Sequence, residues 1–447
     1  MARLFILGID CAEPSQVEQW IDELPNLKQL YEVCYTRVRS TVPPITIPAW
    51  LVAFSGLNPG YLGLYDLKFR KPGTYTDMQL YSYDVVKDIE FIWNFASKLG
   101  KRTILCFVPG TYPPPKINGI VISDFFTPSI ESQFTWPPFI KKEILNVVEG
   151  EYIIDVYDYK RMEPRKLFNL LLKKLDQDFR IIKHLLKTRR WDLFISVLMS
   201  IDRAQHTLWK FFDKEHPRHV EDPELKDGLF KLYKKIDEEL SEILNMLNIE
   251  NDVIVVMSDH GAKRMYYRVN VNEVLIREGL LKLKERPTRP MTLQEADSLK
   301  LIDWDRTVAW AWGAYVGQLW INLEGREPRG IVKKEHYEDT CRQVADVLRK
   351  VEDPDGKRLN NIVFFKWEIY EGPRIEYMPD ITVYFDDLHY GANDMIGLDA
   401  IHSVEALKGA DDSNHGQYAI FMINKKLEDK PATLQDLMRI FRTALME

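Results

Sequence analysis

The stretch Arg3-Leu-Phe-Ile-Leu-Gly-Ile9 is apolar at almost every position and is followed at once by Asp10. A strand with one face in water alternates apolar and polar residues, whereas a strand buried on both faces is apolar throughout. The stretch therefore predicts a strand inside a sheet that is covered on both sides. Similar apolar runs occur at residues 102–108, 193–199 and 252–257.

Helical patterns separate these runs, at residues 87–100, 165–188 and 226–247. In the last pattern, leucine and isoleucine residues recur at helical spacing along one face. Alternation of buried strands with helices is typical of a parallel sheet whose crossovers are helical. The sequence thus predicts an α/β fold with a mostly parallel sheet sandwiched by helices.

The pattern changes after residue 264. Residues 283–308 are polar and charged and indicate a surface excursion, and a strand at 315–322, a helix at 332–351 and a strand at 361–367 follow. We interpret 265–378 as an inserted α+β subdomain, and 1–264 with 379–447 as the core. Strands at 381–385 and 417–423 are expected to complete the core sheet.

Composition sets bounds on the class of protein. The chain has 447 residues and a formal charge of −7, with 60 Lys and Arg against 67 Asp and Glu, which argues against stable nucleic-acid binding. The four cysteines show no CxxC spacing, as expected of reduced thiols in a cytoplasmic protein. No signal-peptide pattern and no run of about 20 apolar residues is present, so we expect no membrane association.

Acidic side chains and a histidine follow the predicted strands. Asp10 follows the first strand, Asp202 the strand at 193–199, and Asp259 and His260 the strand at 252–257. Because parallel strands end at one edge of a sheet, where ligands of such folds bind, these residues are predicted to share a site.

Each motif also has an ordinary interpretation. Asp202 and His206 would face one metal only if their segment is helical. Asp10 could be a helix N-cap, and His415 could belong to an ordinary polar loop. Asp259-His260-Gly261 is more specific, since adjacent Asp and His residues suit burial only with partners.

Taken together, the three Asp and three His residues suit two divalent cations with mixed oxygen and nitrogen ligands, the arrangement of a two-metal hydrolase of phosphorus esters. Thr46, in Ile45-Thr-Ile-Pro48, would be the nucleophile. Pro48 suits the first turn of a helix that ends before Gly56, so Thr46 would lie at the helix N-terminus, where N–H groups favour anions. The alternative is that Thr46 only caps this helix.

These motifs, in this order, resemble the alkaline phosphatase superfamily, in particular its type I phosphodiesterase/nucleotide pyrophosphatase branch. The resemblance covers most of the chain and includes Gly8-Ile-Asp10, Thr46-Ile-Pro48, Ser55-Gly-Leu-Asn-Pro59, Asp202-x-x-x-His206, Ser258-Asp-His-Gly261 and Asn414-His-Gly416. It implies an alkaline phosphatase-like fold and two metal ions, most commonly zinc, with manganese or iron in some relatives. It places one metal on Asp202, His206 and His415. It places the other on Asp10, Asp259, His260 and the Thr46 hydroxyl.

The chain departs from the branch at one position. Where relatives carry an Asn that binds a phosphoryl oxygen, this sequence has Leu67. Lys68, Arg70 or Lys263 could replace that Asn as a cation, although surface charge is the simpler interpretation of each. Sulfatase relatives need a Cys or Ser in place of Thr46.

Two further features concern the substrate. Tyr112 or Thr111, in the proline-rich segment 108–115, could touch it, although a structural turn is the simpler interpretation. Trp304, Trp310, Trp312 and Tyr315 could form ordinary core or a roof that stacks on a leaving group.

The leading hypothesis is a phosphodiesterase or nucleotide pyrophosphatase that acts on a small phosphorylated substrate through a covalent phosphothreonine. The alternatives are a phosphomonoesterase, a cofactor-independent phosphoglycerate or phosphopentose mutase, and a degenerate metal-binding scaffold. The sequence does not decide whether the protein forms a homo-oligomer.

Overall fold

The computed structural model describes residues 3–406 and 409–447, and the chain divides into two compact units. The first comprises Met1–Asn58, Tyr81–Ala262 and His415–Glu447. The second comprises Pro59–Leu80 and Lys263–Asn414.

One eight-stranded sheet forms the centre of the first unit. Its strands are β1 (Leu4–Ile9), β2 (Tyr35–Arg39), β3 (Thr103–Cys106), β4 (Gly119–Ile122), β5 (Thr135–Trp136), β6 (Leu193–Leu198), β7 (Val253–Met257) and β8 (Tyr418–Ile423). They lie in the order β2-β8-β7-β1-β6-β3-β4-β5. The five strands from β7 to β4 are parallel, whereas β8 and β5 run antiparallel to the strands beside them. The predicted mostly parallel sheet is confirmed.

Helices cover this sheet. They are α1 (Pro14–Trp20), α2 (Pro25–Val33), α3 (Thr46–Ser55), α4 (Ile92–Lys98), α5 (Ile140–Val147), α6 (Pro164–Thr188), α7 (Ser200–Phe212), α8 (Gly228–Leu244) and α9 (Leu437–Met446). Every residue of β1, β6 and β7 is buried, so these strands are enclosed on both faces as their composition requires. Burial of each Leu, Ile or Phe side chain contributes about 1.5–3 kcal/mol.

Strand register brings the candidate residues to one edge of the sheet. Ile9 of β1 is paired with Leu198 of β6, and Gly8 is paired with Met257 of β7. Asp10 and the segments that carry Asp202 and Asp259 therefore leave three adjacent strands at the same end.

The second unit has its own sheets and core. A four-stranded antiparallel sheet contains Ala309–Gly313, Gly317–Ile321, Ile381–Tyr384 and Ile362–Phe365, in that order. A three-stranded sheet contains Tyr390–Asn393, Tyr267–Asn270 and His402–Ser403, and short pairs join Lys68–Arg70 with Met78–Leu80 and Met291–Thr292 with Met395–Ile396. The helices are Pro59–Leu62, Val271–Arg277, Leu293–Ser298, Tyr337–Arg349 and Lys366–Ile369.

Two expectations about this half of the chain need correction. Residues 381–385 do not return to the central sheet, because Ile381–Tyr384 pairs with Gly317–Ile321 and Ile362–Phe365 in the second unit. The segment 283–308 is not only a surface excursion, since its apolar residues enter the core of that unit, among them Met291, Leu293, Ile302 and Trp304. The second unit thus extends beyond the predicted insertion 265–378, to residue 414, and also takes in 59–80.

Candidate metal centre

Asp202 and His206 lie one turn apart on α7 and form the first candidate group with His415. The His206 Nε2 atom is 3.3 Å from Asp202 Oδ1 and 3.3 Å from His415 Nε2. The distance from His415 Nε2 to Asp202 Oδ1 is 3.8 Å. The segment that carries Asp202 and His206 is helical, as their shared metal site requires. Because the two residues are four apart, they lie on one face of the helix.

Asp10, Asp259 and His260 form the second candidate group. His260 Nε2 is 3.2 Å from Asp259 Oδ2 and 3.8 Å from Asp10 Oδ1. Gly261 permits the tight path after His260, since a Cβ there would lie 2.3 Å from Glu13 Oε2 and 2.6 Å from the Tyr418 carbonyl oxygen. The rings of His260 and His415 stack with centroids 3.8 Å apart, so the two groups are adjacent.

Backbone carbonyls orient two of the imidazoles. His415 Nδ1 is 2.7 Å from the Pro44 oxygen, and His260 Nδ1 is 3.0 Å from the Gly261 oxygen. A carbonyl can only accept, so each Nδ1 carries the proton and each Nε2 keeps its lone pair. A histidine that ligates a metal is commonly held in this way.

The carboxylates leave oxygens free in a dry environment. Asp10 Oδ1, Asp202 Oδ1 and Asp259 Oδ2 are buried and accept no hydrogen bond. A buried carboxylate oxygen that accepts no hydrogen bond is unfavourable, and a bound cation is one arrangement that stabilises it. Two groups of one or two carboxylates with imidazole nitrogens fit divalent metals such as zinc.

Burial also sets the protonation of these groups. It raises the pKa of Asp10 and of Asp259, and the neighbouring carboxylates add to both shifts. Burial acts in the same direction on Asp202, but His206 and Arg203 outweigh it and lower the pKa of that carboxyl. Burial lowers the pKa of His260 to about 4 and holds that of His415 well below its usual range. Both imidazoles are therefore neutral at pH 7, as metal ligation requires.

Thr46 is the first residue of α3 and lies against the second group. Its Oγ1 atom is 3.3 Å from His260 Nε2, and its side chain is 6% exposed. The N-cap of α3 is Ile45, so Thr46 does not serve as the cap of this helix. The helix ends before Gly56 as predicted, and Gly56 adopts the left-handed conformation common at helix ends, with φ of 72°.

Three polar contacts of the carboxylates were not foreseen from the sequence. Trp50 Nε1 donates to Asp10, the Cys11 backbone N–H donates to Asp259, and Arg203 donates to Asp202. The spacing of Trp50 from Thr46 offered a signal, since residues four apart share a helix face. The contacts of Cys11 and Arg203 depend on the tertiary fold.

The basic candidates all lie in the second unit, whereas the candidate ligands lie in the first. Arg70 is fully buried there and pairs with Glu327 through both Nη atoms, at 2.7 and 2.9 Å. A guanidinium held in this way is part of the core, so the interpretation of Arg70 as surface charge is wrong. Lys263 Nζ is 2.6 Å from Asp387 Oδ2, and Lys68 Nζ is 5.8 Å from the Trp312 ring centroid.

The proline-rich segment after β3 is held tightly. Buried Asp124 accepts from the N–H groups of Gly110 and Thr111, and Tyr81 donates to the Gly110 oxygen at 2.9 Å. Thr111 is fully buried and donates to Val108, so it has a structural position. Tyr112 is half-buried and stays a candidate for substrate contact.

The aromatic residues of the second unit divide into two pairs. Trp304 and Trp310 are buried in its core, where the rings of Trp304 and Tyr75 stack with their centroids 3.7 Å apart. Trp312 and Tyr315 are half-buried. The interpretation of the set as ordinary core therefore holds for Trp304 and Trp310.

A helix-covered, mostly parallel sheet with buried Asp and His groups at one edge defines an alkaline phosphatase-like hydrolase. A family model described as type I phosphodiesterase / nucleotide pyrophosphatase matches residues 4–410. The chain belongs to this metal-dependent family and is a hydrolase of phosphoric esters. A search of curated proteins finds no match to the sequence.

Solved structures share the fold at low sequence identity. Phosphonoacetate hydrolase from Sinorhizobium meliloti 1021, in complex with phosphonoacetate, is similar with a TM-score of 0.65 and 14% identity, over 100% of this chain and 96% of that one. An inactive variant of murine ectonucleotide pyrophosphatase / phosphodiesterase 5, in complex with AMP, has a TM-score of 0.56 and 13% identity, over 100% and 95% of the two chains. The human form of that enzyme has a TM-score of 0.55 and 13% identity, over 99% and 95%.

In the described part of the chain, none of the helices combines the length and the apolar character needed to span a bilayer.

Proposed function

We propose that the protein is a two-metal phosphodiesterase or nucleotide pyrophosphatase that uses Thr46 as its nucleophile. The observation that carries this proposal is the position of the Thr46 hydroxyl, 3.3 Å from His260 Nε2 and at the start of a helix. Thr46 is thus at the N-terminal end of α3, where free N–H groups favour anions, and beside His260 of the second group.

The metals would be held as the two groups suggest. Asp202, His206 and His415 would bind one cation, and Asp10, Asp259, His260 and the Thr46 hydroxyl would bind the other. When bound, such cations supply positive charge for the phosphoryl oxygens and lower the pKa of a hydroxyl. Zinc is the proposed metal because three of the seven proposed ligands are imidazole nitrogens, with manganese or iron as alternatives.

Thr46 would then act in two displacements. Its Oγ1 forms a bond to phosphorus and loses its proton as the ester oxygen of the leaving group departs and gains one. Water then cleaves the phosphothreonine and restores the hydroxyl. The N–H groups at the start of α3 would accommodate the charge on the phosphoryl oxygens.

A diester or pyrophosphate is the proposed substrate class, with Tyr112, Lys68 and Lys263 as candidate contacts. Residues 3–406 and 409–447 contain two groups of three side chains that could hold a metal ion. Monoesterases of this superfamily often use a third metal or an added arginine. Two structurally similar proteins were solved with phosphonoacetate and with AMP. The substrates to be assayed should therefore be small phosphorus compounds.

The test compares the rates at which zinc-loaded wild type and Thr46→Ala cleave bis(p-nitrophenyl) phosphate, a phosphodiester. We expect the variant to lose turnover by several orders of magnitude while its zinc content stays close to that of wild type. Thr36→Ala is the matched control, since the half-buried Thr36 belongs to neither group and its hydroxyl donates to the Arg37 carbonyl oxygen. Equal rates for Thr46→Ala and wild type would exclude Thr46 as the nucleophile. Wild-type protein that takes up zinc but cleaves no phosphorus ester would favour the scaffold hypothesis.

A further inference from the structure

Arg203 joins the candidate ligand Asp202 to a second carboxylate, Asp155. Its Nη1 atom donates to Asp202 Oδ2. Its Nη2 atom donates to Asp155 Oδ2 at 2.6 Å, and its Nε atom lies 3.2 Å from the same oxygen and 3.3 Å from Oδ1. One guanidinium thus spans two carboxylates from different segments of the first unit.

Aromatic rings and burial hold this guanidinium in place. Its central carbon lies 5.0 Å from the centroid of the Tyr159 ring and 5.4 Å from that of Phe125. The side chains of Arg203 and Asp155 are 11% and 5% exposed. A planar donor fixed by a carboxylate and two rings has little rotational freedom, so it also fixes the carboxylate that it contacts on its other side.

The two oxygens of Asp202 consequently differ. Oδ2 is occupied by Arg203, whereas Oδ1 accepts no hydrogen bond and lies 3.3 Å from His206 Nε2. The free oxygen is the one directed toward the imidazoles. Because Asp155 neutralises Arg203, the pair orients Asp202 without changing the net charge beside it.

The second group is held differently. Asp10 accepts from the neutral indole of Trp50, and Asp259 accepts from the Cys11 backbone N–H. Loss of Arg203 should therefore affect one candidate metal site and spare the other.

We propose that Arg203, anchored by Asp155, is a positioning residue that presents Asp202 Oδ1 to the cation of the Asp202, His206 and His415 group. The proposal rests on the two-metal function proposed above. Contacts around a ligand commonly change metal affinity about 10–100-fold when they are removed.

The experiment measures zinc affinity by competition with a chromophoric chelator, in two backgrounds that isolate the sites. His260→Ala removes a ligand of the second group, and His415→Ala removes a ligand of the first. In the His260→Ala background, adding Arg203→Met should weaken the remaining zinc site about 10–100-fold. In the His415→Ala background, the same substitution should leave zinc affinity unchanged.

Further variants separate positioning from folding. Arg203→Met leaves Asp155 without its partner, so Arg203→Met/Asp155→Asn restores charge balance and should recover stability but not zinc affinity. Arg203→Lys keeps the charge but not the fork geometry, and should show an intermediate loss. Arg3→Met is the matched control, because Arg3 also binds a carboxylate, that of Asp252, with two nitrogens and lies 4.3 Å from the Trp191 ring centroid.

The outcomes distinguish this proposal from the proposed function. Equal losses in both backgrounds, or unchanged affinity in the His260→Ala background, would overturn the assignment of Arg203 even if the wild type hydrolyses phosphodiesters. A selective loss in the His260→Ala background would support it even if no ester is cleaved. Wild-type protein that binds no zinc at the Asp202 group would overturn both.

Discussion

The Trp50 indole donates a hydrogen bond to Asp10 across 2.7 Å and so ties the helix that begins with Thr46 to the end of β1. Thr46 and Trp50 are four residues apart and share a face of α3. Gly8 makes room for the indole, since a Cβ at residue 8 would lie 2.5 Å from Trp50 Cη2. The nucleophile candidate and a metal-ligand candidate are therefore positioned by one side chain.

Trp50→Phe should weaken the second metal site. The substitution keeps an aromatic ring but leaves Asp10 without its donor, and we expect zinc affinity at the second group to fall about tenfold or more. The cavity and the lost hydrogen bond should also lower the free energy of unfolding by about 1–3 kcal/mol. Zinc competition in the His415→Ala background and urea unfolding measure the two effects.

Trp209→Phe is the control for this prediction. Trp209 donates to the carboxylate of Asp213 at the same distance of 2.7 Å, and Asp213 belongs to neither group. If Trp209→Phe and Trp50→Phe reduce zinc affinity equally, the hydrogen bond to Asp10 has no special part in metal binding.

Much of the first unit could be predicted because its strands are buried on both faces. Such strands carry continuous apolar runs, and β1, β3, β6 and β7 were each located to within two residues of either end. The side chains that follow them could then be grouped, because parallel strands end at one edge. His415 needed the family resemblance as well, since it lies in a short strand, Ser413–Gly416, with no apolar run of its own.

Contacts between distant segments could not be predicted. The placement of Ile381–Tyr384 depends on its pairing with Gly317–Ile321, and an apolar run does not specify its partner. Arg70 looked like a surface cation because its buried partner, Glu327, is far away in the sequence. Local patterns report burial, whereas such pairings depend on the whole chain.

Loss of a second-group ligand should deplete one metal. Asp259→Asn and His260→Ala each remove a donor and leave the backbone of the other in place, so each should halve the zinc content and reduce the rate by several orders of magnitude. Metal analysis and steady-state assays measure this, and chelation should inactivate the wild type. His184→Ala is the control, since His184 binds Glu143 and belongs to neither group. Full zinc content with a normal rate in both variants would refute the ligand assignment.

Asp380 should be a centre of stability in the second unit. It is fully buried and binds both Nη atoms of Arg326 at 2.7 and 2.6 Å, with Lys366 at 2.9 Å. Burial opposes ionisation, but these cations outweigh it and hold the pKa of Asp380 well below its ordinary value. Removal of one member of a buried pair leaves the others without compensation, so Asp380→Asn should cost about 3–5 kcal/mol at pH 7.

The sign of its pH dependence follows from the lowered pKa. The unfolded carboxyl protonates near pH 3.9, while the folded one stays ionised, so the contribution is complete above about pH 4 and declines as the pH falls further. Urea unfolding at pH 7, 4 and 3 measures the free energy of unfolding of wild type and of Asp380→Asn. The difference between these two free energies should become smaller only below pH 4. Asp346→Asn is the control, because Asp346 is 64% exposed in its pair with Arg349 and should change stability by less than about 1 kcal/mol. If the difference in unfolding free energy between wild type and Asp380→Asn grows toward low pH, the role of the ionised Asp380 is wrong.

Diesters should be cleaved with higher kcat/KM than monoesters that share the same leaving group. A monoester dianion carries more charge than a diester, and two of the basic candidates already have carboxylate partners: Arg70 is buried in an ion pair with Glu327 and Lys263 is bound to Asp387. A diester carries a second ester group, which the half-buried Tyr112 of the first unit could contact. The comparison should use p-nitrophenyl phosphate and a p-nitrophenyl phosphodiester, because leaving-group acidity alone changes rates. A nucleotide pyrophosphate and a phosphonate extend the series, and phosphonoacetate is the ligand in the structure of the Sinorhizobium meliloti hydrolase. Lys68→Met and Lys263→Met belong in the same assay, and we expect both to retain the diester preference. If wild type instead favours the monoester and either lysine variant loses that preference, the lysine is the anchor of a phosphomonoesterase and the diester assignment is wrong.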